Sequence, residues 1–282
     1  MGSGVGEGDR AAAGAVLLVP PALEAGGPTR RGRVIQIGIP VHNERETIGP
    51  LLWRIRELLY GERRQFHVLV CDDASEDGTD EALERYPRVL PLTVLRNEER
   101  RGYAASLDRL IRATLRRSDY PRRDAFVSMQ GDFSDPPERL PEMLRRFEGG
   151  ADLVTVARGD AEPFARRLTR AGGRLCARPL LSAPAVTDPY ASLRLYRLFA
   201  LERAVAAGDG PLLPYGGWAA NAALLLQVWP FVRRFEEIPH DPHPLRRYRD
   251  ARFRAGEQLR QLFAAGRDRA LREIGRQIAE AA

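Results

Sequence analysis

Between Arg33 and Ala157, short apolar runs alternate with stretches of helical periodicity, and no other feature constrains the fold as much. Val34–Ile39 is an apolar run closed by Pro40 and reads as a buried strand. In Glu44–Tyr60, apolar residues fall at Ile48, Leu51, Leu52, Ile55, Leu58 and Leu59, the spacing of one helix face. The alternation continues with a strand at Phe66–Cys71, a short helix at Gly78–Tyr86, a strand at Leu92–Leu95 and a helix at Tyr103–Arg116. A strand at Ala125–Met129, a helix at Pro137–Phe147 and a strand at Leu153–Ala157 complete it. Such alternation predicts an α/β fold with a mainly parallel sheet flanked by helices on both faces. In sheets of this kind ligands bind beyond the carboxyl ends of the strands, so the strand-to-loop junctions are where chemistry belongs.

Past about Asp160 the pattern changes. Phe164–Leu181 reads as an Arg-rich helix, Gly216–Val228 as a Leu-rich helix opened by two glycines, and Phe235–Ile238 as a strand. Residues 1–31 are rich in Gly, Ala and Pro, lack periodicity and read as a flexible leader. Residues 32–245 form the folded region, divided at about 160, and residues 246–282 an Arg-rich helical tail. No internal repeat is visible.

Composition narrows the classes of function. The net charge is +6, and all 44 basic residues are arginine. Guanidinium groups stay charged and grip phosphate oxygens in pairs. That balance admits nucleic acid, an anionic membrane surface or a phosphate-bearing substrate. Aromatic residues are sparse at 7% and no nucleic-acid module is present, which sets nucleic acid aside. Cys71 and Cys176 lie far apart, with neither metal spacing nor a disulfide framework, in keeping with the cytoplasm. No apolar run approaches the ~18–20 residues of a membrane span. Ala11–Leu23 is only mildly apolar and is broken by Pro20 and Pro21. The oligomeric state is not legible.

The strand ends carry the chemistry. The first gives Pro40-Val41-His42-Asn43-Glu44, and the second Cys71-Asp72-Asp73-Ala74-Ser75-Glu76-Asp77-Gly78-Thr79. The fourth gives Gln130-Gly131-Asp132-Phe133-Ser134-Asp135-Pro136-Pro137-Glu138, and the fifth ends near Arg158. Carboxylates are costly to bury unpaired, so their concentration on one sheet edge calls for a ligand or a capping role. Asp72, Asp77 and Asp135 also suit turn and helix-start capping. His67 reads as structural and Trp53 as packing.

Taken in order with Arg101-Gly102-Tyr103-Ala104-Ala105-Ser106-Leu107, these motifs resemble the family 2 glycosyltransferases of GT-A fold, and among them the dolichol- and polyprenyl-phosphate sugar synthases. Asp188 with Leu193-Arg194-Leu195-Tyr196-Arg197 is similar to the acceptor-side motif of those enzymes. The resemblance runs from about Arg33 to Arg254. It implies a nucleotide-binding part at 32–160 and an acceptor part at 161–245, with a UDP- or GDP-sugar donor and a polyprenyl-phosphate-type acceptor. It places Pro40, His42 and Glu44 around base and ribose, Asp73 on the base with Cys71 contributing backbone, and Gly131 beside the donor. Asp132, Arg158 and Arg194 are implied as catalytic residues, Asp132 also as ligand of Mg²⁺ or Mn²⁺, with Arg158 and Arg170 facing the donor or acceptor phosphates and Arg194 matching the arginine of the family's acceptor loop. Arg246 and Arg247, at the head of the tail, would grip phosphate oxygens or lie at an anionic lipid surface. That makes the expected location cytoplasmic, peripheral at the membrane.

Two departures matter. The family's Asp-Ala-Asp metal motif, often followed two residues later by Gln, is here Gln130-Gly131-Asp132, then Ser134, which leaves one carboxylate. The segment Gly217-Trp218-Ala219-Ala220-Asn221 lacks the acidic base that many family members place there. A hydroxyl acceptor benefits from a positioned base, whereas a phosphate is already anionic at neutral pH. The missing base therefore favours a phosphate acceptor. Transfer to a hydroxyl of a saccharide, protein or small metabolite, and a non-catalytic nucleotide-sugar-binding protein, stay open at this point.

Overall fold

A computed structural model describes residues 15–16, 33–60, 65–158, 186–207, 212–213 and 216–240. The strands are β1 (Ala15–Val16), β2 (Val34–Val41), β3 (Gln65–Asp73), β4 (Leu92–Asn97), β5 (Ala125–Ser128), β6 (Leu153–Arg158), β7 (Arg194–Arg197) and β8 (Phe235–His240). The helices are α1 (Arg45–Tyr60), α2 (Thr79–Leu83), α3 (Tyr103–Arg117), α4 (Leu140–Glu148), α5 (Leu198–Ala207) and α6 (Gly217–Val228). The expected helix at Phe164–Leu181 and the Arg-rich tail lie outside the described residues.

One sheet joins the strands in the order β1-β4-β3-β2-β5-β7-β6-β8. β2 pairs in parallel with β3 and β5, β3 with β4, and β6 with β8. β7 is antiparallel to both of its neighbours, β5 and β6, and β1 is antiparallel to β4. β2 to β6 and β8 therefore share one direction. Their carboxyl ends, at Val41, Asp73, Asn97, Ser128, Arg158 and His240, form a single edge. β7 runs the other way, so its amino end at Arg194, and the chain leading into it, reach that same edge.

Helices cover both faces. Ile35, Ile37, Ile39 and Val41 of β2 point to one core, where Ile48, Leu51, Leu52, Ile55 and Leu59 of α1 and Leu140, Met143, Leu144 and Phe147 of α4 are buried. Leu69 and Cys71 of β3 and Phe126 of β5 point to the other, against Leu107, Leu110 and Ile111 of α3 and residues of α5 and α6. Each fully buried Leu or Ile contributes about 1.5–3 kcal/mol, so the apolar stripe of α1 outweighs any helix propensity in seating it. Gly38 has no side chain because a Cβ would lie 2.4 Å from the Phe126 ring.

The sequence placed the end of β2 at Pro40, yet the strand continues to Val41. Met129 N–H donates to the Gly38 carbonyl. Gly38 therefore faces β5, and so does Pro40 two residues on. β5 has already ended at Ser128, and the missing N–H of Pro40 costs no ladder bond. β7 and α5 have no counterpart in the sequence reading. Arg194 and Arg197 flank Leu195-Tyr196 and mask a strand whose alternation is two-sided and buried.

Candidate active site

The first two strand-end loops are laced together. His42 Nδ1 lies 2.8 Å from the Asp73 carbonyl. Asn43 N–H donates to Ser75 Oγ at 2.8 Å, and Glu76 N–H donates to Asn43 Oδ1 at 2.8 Å. Glu44 N–H donates to Thr79 Oγ1 at 2.9 Å, and Arg45 N–H to Asp77 Oδ2 at 3.2 Å. Asn43 and Ala74 hold left-handed backbone, with φ of 56° and 52°. Glu44 opens α1 through its carbonyl, and its carboxylate accepts from Thr47 Oγ1 at 2.7 Å. His42, Asn43 and Glu44 are thus each held on the Asp73–Thr79 segment.

The two adjacent aspartates divide their work. Asp72 is fully buried; its Oδ1 accepts from Ser75 N–H at 3.1 Å, and its Oδ2 meets Arg96 at 3.4 Å. Asp73, 4% exposed, reaches sideways to the turn after β4. Its Oδ1 accepts from Asn97 Nδ2 at 2.7 Å and Arg101 N–H at 2.8 Å, and its Oδ2 from Gly102 N–H at 2.7 Å. Burial works to raise its pKa, but the bonds from Arg101, Asn97 and Gly102 together prevail and hold the carboxyl below its ordinary range. Asp77 is also held low: burial again opposes, and bonds from Thr79 and Arg45 outweigh it. It accepts from Thr79 N–H at 3.0 Å, a turn closure, while Gly78 occupies the cap position. Cys71 packs inward, where burial pushes its thiol up to about 11, so only its backbone borders the edge.

The fourth strand end builds a second turn. Gly131 is small because a Cβ would stand 2.7 Å from Val41 Cγ1. Asp132 is half-buried, and its Oδ1 accepts from Ser134 N–H at 2.9 Å. Phe133 between them has a φ of 58°. Asp135, read from sequence as helix-start chemistry, instead ties this turn to the segment before β7. Its Oδ2 accepts from Gln130 N–H at 2.9 Å, and its Oδ1 from Ser192 Oγ at 2.7 Å. Ser128 Oγ donates to the Ser192 carbonyl at 2.6 Å.

Arg194 is fully buried. Its Nη1 donates to the Asn221 carbonyl at 2.7 Å, and its Nη2 to the carbonyls of Pro189 at 2.6 Å and Asp188 at 3.1 Å. The guanidinium, expected from the sequence to be catalytic, is thus buried and committed to backbone carbonyls, and it fixes the course of the Asp188–Pro189 segment from behind. Asp188 Oδ1 accepts from Tyr190 N–H at 3.0 Å within the same turn. Arg158 ends β6 opposite His240 in register. Arg170, Arg246 and Arg247 lie outside the described residues. Among the described residues no group of three or more His, Cys, Asp or Glu side chains could hold a metal ion. Sequence reasoning had no role for Ser75, Asn97, Ser192 or Asn221, which bind the loops to one another. Only their partners across the edge reveal them.

The profile described as Glycosyl transferase family 2 matches residues 36–203. The chain is 29% identical over 160 residues to the dolichol-phosphate mannosyltransferase of Pyrococcus furiosus, covering 55% of this chain and 42% of that one. It is 26% identical over 133 residues to the undecaprenyl-phosphate 4-deoxy-4-formamido-L-arabinose transferase of Pseudomonas fluorescens, covering 47% and 38%. The chain thus spans less than half the length of these relatives. Glucosyl-3-phosphoglycerate synthase from Mycobacterium tuberculosis, solved with Mn²⁺, uridine diphosphate and phosphoglyceric acid, superposes with a TM-score of 0.59 at 21% identity, covering 83% of this chain and 77% of that one. The fold is therefore GT-A, as the motifs implied. Since the matched profile spans well over half of its residues, the chain belongs to glycosyl transferase family 2.

Proposed function

We propose that the protein transfers a sugar from a nucleoside-diphosphate sugar to the phosphate of a polyprenyl-phosphate-type acceptor. The observation that carries this reading is the meeting of four loops on one sheet edge: Pro40–Glu44, Asp72–Thr79, Gln130–Asp135 and Asp188–Arg194. The two laced loops would seat the nucleoside, with uracil and guanine the candidate bases. The Gln130–Asp135 turn would face the diphosphate, and the Asp188–Tyr190 segment the acceptor.

An acceptor phosphate oxygen would attack the anomeric carbon in line. The bond to the donor diphosphate breaks as the new one forms, and the nucleoside diphosphate leaves with the electron pair, inverting the centre. No proton need be removed from such a nucleophile, which fits the absence of a carboxylate from α6. Asn221, the polar residue in its first turns, is buried and engaged with Tyr103 and Tyr190.

Mg²⁺ or Mn²⁺ fits this site in part. Asp132 commits one oxygen to the Ser134 N–H and keeps the other for a cation, and Mg²⁺ commonly takes one or two protein carboxylates along with substrate phosphates. Such a cation would offset charge on the departing diphosphate. Arg158, Arg170, Arg246 and Arg247 are proposed for the phosphates, Pro40, His42, Glu44, Gly131 and the Cys71 backbone for the donor, and Arg194 for holding the acceptor loop.

Among the described residues no helix is long and apolar enough to cross a membrane. A lipid-linked acceptor is proposed to be met at the membrane surface. The likeness in fold to a protein solved with phosphoglyceric acid supports a second reading, transfer to a small phosphorylated metabolite. The test is radiolabelled sugar transfer from UDP- and GDP-sugars to undecaprenyl phosphate or 3-phosphoglycerate, with Asp132→Ala in parallel. Product should form with the polyprenyl phosphate and fall by about 100-fold or more in the variant. Undiminished turnover in Asp132→Ala, or product with 3-phosphoglycerate alone, would overturn the assignment of residue or acceptor respectively.

A further inference from the structure

Besides the Asp135–Ser192 bond, a second line joins the Asp188–Arg194 segment to the loops around Asp73, through the hydroxyl of the half-buried Tyr103. Gly102, with a φ of 86°, gives its N–H to Asp73 Oδ2 and hands the chain directly to Tyr103, the first residue of α3. The Tyr103 hydroxyl donates to Asn221 Oδ1 on α6 at 2.8 Å. From the same amide, Asn221 Nδ2 donates to the Tyr190 carbonyl at 3.3 Å. The Asn221 carbonyl in turn takes Arg194 Nη1, whose Nη2 holds Asp188 and Pro189. An unbroken line of bonds therefore runs from Asp73, beside His42, to Asp188–Tyr190. Burial, with the Asp135 charge nearby, holds the phenol protonated well above its ordinary range, which keeps it a donor at every working pH.

We propose that Tyr103 is a positioning residue, whose bond to Asn221 sets the Asp188–Tyr190 loop according to the state of the nucleotide-side turn at Asp73–Gly102. The residue touches neither donor nor acceptor in this scheme. It acts through Asn221. A rigid α3 packed on the sheet through Leu107, Leu110 and Ile111 makes the link stiff, since movement at Gly102 displaces Tyr103 before any other part of the helix. The inference rests on the nucleotide-donor reading above and adds to it an order of events, with the nucleotide side fixing the acceptor side.

The experiment uses the full chain and UDP or GDP with MnCl₂ as probes, read by calorimetry and by amide hydrogen exchange. In the wild type, bound nucleotide should slow exchange at 97–106 and also at 188–193. Tyr103→Phe, which removes one oxygen, should bind nucleotide with an unchanged Kd while the slowing at 188–193 drops by about five- to tenfold. Asn221→Leu, which removes both bonds of the amide, should reproduce that loss and add nothing when combined with Tyr103→Phe. A purely structural role would instead lower the thermal midpoint and speed exchange across the sheet alike, and that outcome overturns the proposal. So does nucleotide binding without slowing at 188–193 in the wild type, or full slowing in both variants. A wild type that binds neither nucleotide overturns the donor reading itself, and the inference with it.

Discussion

Replacing Asp73 by asparagine separates the two tasks its position allows, holding the turn after β4 and touching a nucleotide. The carboxylate accepts three bonds: Asn97 Nδ2 and Arg101 N–H on Oδ1, and Gly102 N–H on Oδ2. An amide of the same shape keeps one oxygen. In its better orientation it retains the pair on Oδ1 and turns an NH₂ group toward the Gly102 N–H. One charge-assisted bond is lost, worth about 1.5–3 kcal/mol, and the two retained bonds weaken because their acceptor is now neutral. The expected loss is about 2–4 kcal/mol, against a total stability of about 5–15 kcal/mol for a typical domain. Guanidinium denaturation at pH 7 would read it as a fall in midpoint with unchanged slope.

The pH dependence carries a second signature. The folded carboxyl sits below its ordinary pKa, so its contribution is full above the unfolded value of about 3.9 and is lost as pH falls through the lower folded value. Asp73→Asn should flatten that acid limb. A variant within about 0.5 kcal/mol of the wild type, the usual range of an inconsequential surface change, would refute the turn-holding argument. If nucleotide affinity collapsed at an unchanged midpoint, the carboxylate would be reading the base and holding nothing.

His67, held down to about 4 by burial and by Arg117, should lose its stabilising neutrality as pH drops from about 6.5 toward 4, where the unfolded chain takes up the proton first. His67→Gln should remove up to about 3 kcal/mol of that pH dependence, by the conversion of about 1.4 kcal/mol for each pH unit, in denaturation curves taken between pH 7 and pH 4. Arg194→Met strands the carbonyls of Asp188, Pro189 and Asn221 inside the protein and should cost more than about 3 kcal/mol by the same assay, with Arg194→Lys recovering only part because an ammonium cannot span the same fork. Gly131→Ala forces a methyl against Val41 and should cost about 1–3 kcal/mol, restored when Val41→Ala is added.

Much of the amino-terminal half of the sheet was legible because it is local. Strand and helix periods, the glycines of the turns and the order of acidic motifs are properties of consecutive residues. They gave the α/β class and the helices α1, α3 and α6 nearly to the residue, while α4 begins at Leu140, three residues after the expected Pro137. They also gave the family resemblance that the matched profile at 36–203 now makes a fact. The strand β7 escaped because its two arginines break the apolar run that signals a buried strand. One of them is buried whole and serves backbone carbonyls, an environment composition does not encode.

The carboxylates divide in the same way. Residue type and spacing alone determined that Asp72, Asp73, Asp132 and Asp135 would gather at strand ends. Which of them face outward was decided by partners far along the chain: Asp73 by Arg101 and Gly102, Asp135 by Ser192. A carboxylate's role depends on how many of its oxygens are already taken. That depends on register and strand direction, above all on the reversed β7 that returns Asp188–Arg194 to the common edge. The physical reason is that sequence fixes which groups can bond, and only the packed sheet fixes which of them are near enough to do so.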